Sequence, residues 1–463
     1  MVVKKGQLIE VEITGVAFGG KGMARVNGLV VFVDQVVPGD RVTARIIKKK
    51  KNYAEARLVE LVEPSVDRIQ APCPYSGFCG GCKWQFLRYE KQLEYKHQHV
   101  IESLKHIGGI KEARVRPPIS SEKIFAYRNK MEFSCSDRKW LMPGEMNEPN
   151  KECGFAIGLH VPGTYYKVLD TRACLLQPDL GNRILADVRT FIKNSNAPVY
   201  GLKSHLGFWR FLMLRHSVAY NQWLVNIITA AEDRTQVQPL ADLLAGKYPE
   251  IISVVNNITS RKAGTAIGEY EIGLKGESSI KDKIGALVYT ISANSFFQTN
   301  SSGAFNLYNV VRRFAGLGEN QRVVDLYSGT GAIAIFLADS ALEVIGIELA
   351  GSAVADALDN CRKNGISNCR FIQGDINQCL AQLSQPPDVM VIDPPRAGMH
   401  KNIAKQVLDM GPDRIVYVSC NPATMARDLG MLQDRYSLLE VQPVDMFPHT
   451  YHIESVARLE IAG

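Results

Sequence analysis

No stretch of this 463-residue sequence approaches the ~18 continuous apolar residues of a membrane span. The amino end, Met1-Val-Val-Lys-Lys-Gly-Gln, also lacks the long apolar segment of a secretory signal. The two absences predict a cytoplasmic chain with no membrane contact. Repeats and low-complexity tracts are missing as well, which excludes solenoids and tail-like disordered segments. Without a secreted context the ten cysteines do not form a disulfide framework. In a reducing compartment, clustered thiols more often bind metal or do chemistry.

What is present is ordinary for a globular protein: 46% hydrophobic and 22% charged residues, in a length that suggests about three domains. The net charge of +7 is unevenly placed. Residues 1–62 hold eleven Lys/Arg against six Asp/Glu, a balance of +5, including Lys48, Lys49, Lys50 and Lys51. Such a module suits a polyanionic partner, although a solvated charged face would carry the same residues.

Residues 1–62 read as short strands broken by the turns Gly19-Gly-Lys-Gly22 and Val37-Pro-Gly-Asp40. That pattern predicts a small, OB-like β-barrel. Residues 85–106 predict a helix. Residues 119–290 are β-rich and glycine-punctuated, with strands expected at 155–168 and 223–231 and a helix at 236–244. From residue 321, apolar runs at 323–325, 344–348, 370–373, 388–392 and 414–419 alternate with helical segments. Buried parallel strands read this way, so the last third predicts a doubly wound, Rossmann-like α/β sheet.

The first strand of that sheet ends in Asp325-Leu-Tyr327-Ser-Gly329-Thr-Gly331, and the next ends in Glu348. Glycines let a turn approach a ligand closely, and an acid at the second strand end binds ribose hydroxyls. This fits NAD as well as S-adenosylmethionine. The fourth strand ends in Asp393-Pro-Pro-Arg396, a rigid turn where open sheets bind ligands. Methyltransferases acting on amino nitrogens carry an aromatic residue where Arg396 stands, which argues against that class. The fifth strand ends in Ser419-Cys420-Asn-Pro. A cysteine between a strand end and a helix start is placed for a lowered thiol pKa, although a lone cysteine is more often structural.

A thiolate beside a methyl donor has a specific use. Carbon 5 of a pyrimidine is a poor nucleophile until a thiolate adds at carbon 6. A base must then remove the carbon 5 proton. Glu454 is the candidate base, with His452 and His449 as competitors. Separately, Cys73, Cys79 and Cys82 lie close in sequence with no His among them. They need a fourth ligand for either tetrahedral zinc or a cubane cluster, and spacing does not choose between these. Glycines 77, 80 and 81 would let backbone amides approach cluster sulfides.

The ordered set Phe296-Phe-Gln298, Asp325 to Gly331, Glu348, Asp393-Pro-Pro-Arg, Ser419-Cys-Asn-Pro and His452-Ile-Glu454-Ser resembles the RNA uracil-5-methyltransferase family. The likeness extends over essentially the whole chain. It points above all to the 23S ribosomal RNA branch, which carries an N-terminal TRAM domain and an iron–sulfur cluster. The stretch Gly-Gly-Lys-Gly-Met-Ala-Arg and the Val-Pro-Gly-Asp turn carry the TRAM likeness. The resemblance implies Cys420 as nucleophile and Glu454 as base. It implies S-adenosylmethionine contacts from Gln298, Tyr327, Glu348 and Asp393, with Asp325, Gly329 and Gly331 in the turn and Asp375 near the adenine. A [4Fe–4S] cluster would sit on Cys73, Cys79, Cys82 and Cys174, with Cys153 the alternative fourth ligand. Ser328 and Ala332 depart from the family pattern.

The expected layout is a barrel over 1–62, a central β-rich, cluster-bearing domain over 63–84 and 119–290, and a catalytic domain over 85–118 and 291–463. The expected form is a monomer, with 23S ribosomal RNA as substrate and transfer RNA as runner-up. The competing readings are a cytosine-5 methyltransferase, which the Glu454 segment and the Asp393 turn disfavour, and a non-catalytic RNA-binding or redox protein, which would leave Cys420 idle.

Overall fold

The computed structural model describes residues 3–149, 153–262, 264–318, 320–383 and 385–462. Strands β1 (Leu8–Glu12), β2 (Gly15–Val16), β3 (Gly22–Val26), β4 (Leu29–Asp34), β5 (Arg41–Lys49) and β6 (Tyr53–Glu63) form one sheet in the order β1-β5-β6-β4-β3-β2. Alternation puts Ile9, Val11, Val31, Val33, Val42, Ala44 and Ile46 into a shared core. The longest strand, β6, was not visible in the sequence pattern. Its outer half exposes Val59, Leu61 and Val62, so its hydrophobicity does not alternate.

The segment carrying Cys73, Cys79 and Cys82 follows without regular helix or strand and leads to α1 (Tyr89–His106). The helix starts four residues later than expected, because Gln85, Phe86 and Leu87 are buried before it begins. Val100 and Leu104 of α1 share a core with Ile392, Tyr417 and Met425, far along the chain.

The middle of the chain holds β7 (Lys130–Ser136), β8 (Ala156–Gly158), α2 (Asp179–Asn194), β9 (Trp209–His216), β10 (Trp223–Thr229), α3 (Arg234–Lys247), β11 (Ile251–Ile258) and β12 (Tyr270–Gly276). Its strands run in the order β12-β11-β10-β9-β7-β8. Of the strand expected at 155–168 only β8 forms; Pro162, without an N–H, and Gly163 at φ 71° turn the chain away. Helix α2 was missed. Its apolar residues Leu180, Ile184, Leu185, Val188 and Ile192 fall at helical spacing and are all buried.

A hairpin of β13 (Ser279–Ile284) and β14 (Leu287–Ser292) comes next, followed by α4 (Ser301–Ala315). Ile280, Ile284, Tyr289 and Ile291 of the hairpin lie in the core of the last sheet. That sheet is built from β15 (Arg322–Leu326), α5 (Ala332–Leu337), β16 (Glu343–Glu348), α6 (Gly351–Lys363), β17 (Cys369–Gln373), α7 (Ile376–Leu380), β18 (Val389–Ile392), α8 (Lys401–Met410), β19 (Arg414–Ser419), α9 (Pro422–Leu432), β20 (Tyr436–Val444) and β21 (Glu454–Ile461). Its order is β17-β16-β15-β18-β19-β21-β20. The first five are parallel, as the sequence predicts, and β21 runs antiparallel to both neighbours. No helix among the described residues is long and apolar enough to cross a membrane.

Candidate active site

The parallel strands of the last sheet end on one edge, and their first residues beyond it converge there. Strand order reverses between β15 and β18, so a crevice opens beside their ends. Asp325 sits within β15, Asp393 follows β18, Glu348 ends β16 and Cys420 follows β19. Glu454 arrives from the other direction. β21 is antiparallel to β19 with Ser419 opposite Ser455, so the residue after Ser419 and the residue before Ser455 meet at the same rim. That register brings Cys420 to Glu454 across more than thirty residues of sequence.

The glycine turn is shaped for a ligand. Tyr327, Gly329 and Gly331 all have left-handed φ, at 62°, 55° and 76°. A side chain at Gly331 would come within 2.7 Å of the Phe371 ring, whereas nothing lies within 4 Å of the position a Cβ would take at Gly329. Glu348 ties the turn down, accepting from the Gly329 N–H at 3.0 Å and the Ala350 N–H at 2.8 Å. Asp325 is 1% exposed, and among the described residues its carboxylate meets only the Ala334 N–H, without a well-formed hydrogen bond. Burial, and then the neighbouring Asp393, push its pKa well above the carboxylate range. Burial takes Asp393 up to about 6.

Three carboxylates around this turn disfavour an anionic pyrophosphate and suit a cation. S-adenosylmethionine carries a sulfonium and an ammonium group, so the donor set fits it and the NAD alternative falls away. Tyr308 of α4 joins this pocket and was missed by the sequence reading. It is 2% exposed, and its hydroxyl meets the Gln298 side chain near Asp393 and Asp325. A tyrosine inside an amphipathic helix reads as core, so sequence gave no signal of it. Asp375 stands at the edge of the site, exposed. It caps α7 by accepting from the Asn377 N–H at 3.0 Å, and its charge reaches Tyr327.

Cys420 precedes a well-formed cap: Asn421 accepts from the Ala423 N–H at 3.1 Å and Pro422 opens α9. The sequence led us to expect a thiol of lowered pKa. The site does the opposite, pushing Cys420 up to about 11 through burial first and the charge of Glu454 next, against a lowering by Arg396. Glu454 is 7% exposed. Burial, with Asp393 second, raises it to about 8, and Arg396 again opposes. The guanidinium of Arg396 therefore faces both groups, a role the Asp393-Pro-Pro-Arg396 turn supplies and the sequence reading left unassigned. The competing bases His449 and His452 are both held down to about 4, chiefly by burial.

The loop before Glu454 is fixed from α1. Lys96 and Asp445, both fully buried, pair at 2.7 Å. Tyr89 also donates to Asp445, at 2.9 Å, and the Gln92 Oε1 accepts from the His449 N–H at 2.8 Å.

The profile of tRNA (Uracil-5-)-methyltransferases matches residues 257–385 and 385–461, and that of the TRAM domain matches 2–59. An RNA methyltransferase of Chlorobaculum tepidum is 43% identical over 99% of this chain and 97% of its own. Another from Bacteroides thetaiotaomicron is 41% identical over 96% of this chain and 99% of its own. This chain belongs to the RNA uracil-5-methyltransferase family. It is an S-adenosylmethionine-dependent RNA (uracil-5-)-methyltransferase with an N-terminal TRAM domain. Among solved structures, it is similar to the tRNA (uracil-54, C5)-methyltransferase of Pyrococcus abyssi in complex with S-adenosyl-L-homocysteine. The two are 28% identical with a TM-score of 0.75, over 97% of this chain and all of the other.

The second thiol group of this uracil-5-methyltransferase lies elsewhere. Cys73, Cys79, Cys82 and Cys174 all line one cavity of about 60 Å³ with Arg128, Met131 and Leu176, and exposed Cys153 does not. Burial pushes Cys79 up to about 11 and Cys82 up to about 12. Gly81 N–H donates to the Cys79 sulfur at 3.3 Å and Gln85 Nε2 to the Cys82 sulfur at 3.2 Å. Among the described residues, no three His, Cys, Asp or Glu side chains stand at the spacing that holds a single metal ion.

Proposed function

We propose that this enzyme methylates carbon 5 of a uridine in 23S ribosomal RNA, with Cys420 as nucleophile and Glu454 as proton-abstracting base. The observation that carries the reading is the β19–β21 register, which brings thiol and carboxyl to one rim beside an acid-lined turn. The thiolate forms a bond to carbon 6, and the displaced electron pair gathers at carbon 5. Carbon 5 takes the sulfonium methyl, and S-adenosylhomocysteine leaves neutral. Glu454 accepts the carbon 5 proton, and the sulfur–carbon 6 bond breaks to restore the thiolate. A base with a conjugate acid near 8 suits this step better than histidines near 4. With values raised to about 11 and about 8, Cys420 and Glu454 both hold their protons at neutral pH. Binding a cationic donor among these carboxylates lowers both toward ionisation, and Arg396 favours the thiolate.

The test is Glu454→Gln with S-adenosylmethionine and RNA. The adduct should form and keep its methyl group, giving a protein–RNA complex that survives denaturing electrophoresis and vanishes in the Cys420→Ala/Glu454→Gln double variant. Full turnover by Glu454→Gln with no such complex would pass the base role to His452.

Gln298, Tyr327, Glu348 and Asp393 are our proposed donor contacts, with Asp325, Gly329 and Gly331 shaping the turn and Asp375 at the adenine edge. The four-thiol cavity is our proposed [4Fe–4S] site. Four thiols are the donor set of either a tetrahedral zinc or a cubane cluster, and the family resemblance is what favours the cluster. The cluster would be structural, since methyl transfer moves no net electrons. The three-part division, the cytoplasmic location and the monomeric state remain part of this proposal.

The 23S assignment rests on the four thiols and on the resemblance, while the +5 barrel suits RNA of either kind. Transfer RNA is the second reading, and the match to the Pyrococcus enzyme over 97% of the chain supports it. That match also removes the barrel as an argument against transfer RNA. Mapping 5-methyluridine in ribosomal and transfer RNA of a deletion strain separates them.

A further inference from the structure

Helix α1 buries polar residues where an amphipathic helix buries apolar ones. Beside Val100 and Leu104 it buries Gln92 and Lys96. A lysine is almost never fully buried unless it is paired. Lys96 and its partner Asp445 are both shut off from solvent, and the proposed chemistry uses neither. Their bonds are nevertheless directed. Lys96 Nζ donates to the Phe447 carbonyl at 3.1 Å as well as to Asp445, and Asp445 Oδ1 accepts from the Phe447 N–H at 3.1 Å. Asp445 Oδ2 takes the Tyr89 hydroxyl, which itself accepts from the Ser121 N–H at 2.8 Å.

The place of Asp445 in the chain gives the pair its meaning. β20 ends at Val444, and Val444 pairs with Glu454, the first residue of β21. Residues 445–453 close this hairpin, so Asp445 stands next to the strand partner of Glu454. Its own N–H donates to the Ile119 carbonyl at 2.8 Å. Farther along the loop, Gln92 takes the His449 N–H, and the Lys83 and Trp84 N–H groups donate to the His449 carbonyl at 2.8 and 3.0 Å. Tyr89, Gln92 and Lys96 lie at i, i+3 and i+7, on one face of α1. A buried ion pair adds little net stability over well-packed apolar side chains, whereas its directed bonds are suited to fixing one arrangement. The charge also acts on the competing bases. Burial first, and then cations that include Lys96, hold His449 and His452 down, which leaves Glu454 as the better acceptor.

We propose that Lys96 and Asp445, with Tyr89 beside them, are positioning residues for Glu454: they hold the mouth of the β20–β21 hairpin so that the carboxyl faces carbon 5 of the methylated adduct. The inference rests on Glu454 being the base. Its effect falls on one step. There the proton passes from carbon 5 to the Glu454 carboxylate and the C–H electron pair becomes the carbon 5–carbon 6 double bond. The sulfur–carbon 6 pair returns to Cys420. Thiolate addition and methyl transfer precede this step, so a loosened hairpin slows release and leaves adduct formation alone.

The experiment follows a single turnover of the full chain with methyl-labelled S-adenosylmethionine and in vitro transcripts of 23S ribosomal RNA or transfer RNA, whichever wild type methylates. Covalent protein–RNA adduct and released 5-methyluridine are measured separately. Lys96→Met/Asp445→Asn removes both charges together, so that neither is left buried alone. It should slow release by up to about 100-fold, the cost of a misplacement of about 1 Å, and accumulate labelled adduct formed at the wild-type rate. Deuterium at carbon 5 of the transcript should slow release further. Tyr89→Phe, which keeps the ion pair, should shift the same way by less, and it decides the matter if the double variant does not fold. Leu240→Ala, a core change in α3 where it packs on β11 and β12, should lower the melting temperature without accumulating adduct. Adduct formation and release slowed in parallel by the double variant overturns the proposal, and so does an absence of adduct in both hairpin variants. An adduct trapped by Glu454→Gln but by neither hairpin variant would fell this inference alone. Free turnover by Glu454→Gln would fell the base reading and this inference with it.

Discussion

The two thiol sites of this protein are both half-buried and both hold their sulfurs protonated, yet their surroundings differ in kind. Around Cys420 stand Asp393, Glu454 and the guanidinium of Arg396, at the open rim of a sheet. Around Cys79 and Cys82 stand other thiols, the cation Arg128 and apolar side chains, in a cavity too small for a nucleotide. A thiol among titratable groups can be switched by a bound charge and can pass a proton on. A thiol among thiols, with N–H donors aimed at sulfur, has metal as its natural partner. The same residue type is thus divided between chemistry and architecture by its neighbours, not by its burial.

The strongest way to break that contrast is to remove one sulfur from each site. Cys420→Ala should lower methyl transfer by at least about 1,000-fold, as loss of a covalent nucleophile does. Binding of S-adenosylmethionine, measured by calorimetry, should stay close to wild type, because Cys420 lies beyond the glycine turn. Normal turnover would end the covalent mechanism. Cys79→Ser should leave the nucleophile intact and act on the fold instead. Anaerobically purified wild type should be brown, with about four iron atoms per chain. The variant should bleach and lose on the order of 5 kcal/mol or more, because metal binding free energy is folding free energy. A colourless wild type holding one zinc would overturn the cluster and leave Cys420 untouched.

A gentler comparison sets Glu454 against its own amide. Its pKa is raised in the fold to about 8 from an ordinary value of 4.5, so the folded state favours the protonated acid. The stability this brings is fully present below pH 4.5 and is lost as pH rises through the folded value, since the unfolded chain ionises first. Glu454→Gln cannot ionise. Its melting temperature should match wild type near pH 4.5 and exceed it increasingly up to pH 8, by as much as a few kcal/mol in stability. A gap that stays flat with pH would mean that Glu454 is not held protonated, and the reason for preferring it over His452 would go with it.

The catalytic sheet was largely legible in the sequence because buried parallel strands are written as continuous apolar runs, as β15, β16, β18 and β19 largely are, whereas the edge strand β17 is half exposed and offers only Phe371 and Ile372. The chemical residues of the rim were legible for a related reason: each lies at a strand end, where Asp325, Glu348, Asp393 and Cys420 interrupt an apolar run. What joins Cys420 to Glu454 was not legible, since a register between strands separated by α9 and β20 leaves no local mark. Tyr308 and Arg396 stayed hidden because one looks like helix core and the other like the end of a turn. The barrel's β6 and the middle helix α2 were missed where solvation or a neighbouring glycine, Gly181, blurred the period. The direction of the Cys420 shift was misjudged because helix position is readable from sequence, whereas burial beside two carboxyls is not.

The smallest expected effect concerns the other end of the molecule, where charge rather than chemistry distinguishes the barrel from the catalytic sheet. Lys48 is committed within the protein, 2.9 Å from Glu55, but Lys49, Lys50 and Lys51 are exposed and have no salt bridge among the described residues. If they meet RNA phosphates, each contact releases condensed counterions, and the logarithm of affinity falls with that of salt by about 0.7 per phosphate on a single strand. Replacing these three lysines by serine should therefore reduce the slope by up to about 2, while Lys48→Ser should reduce it less, because its charge already faces Glu55. Methyl transfer at saturating RNA should not change in either variant, since neither touches the rim around Cys420. Equal slopes in wild type and the triple variant would show that the +5 balance of the first 62 residues is a solvated face.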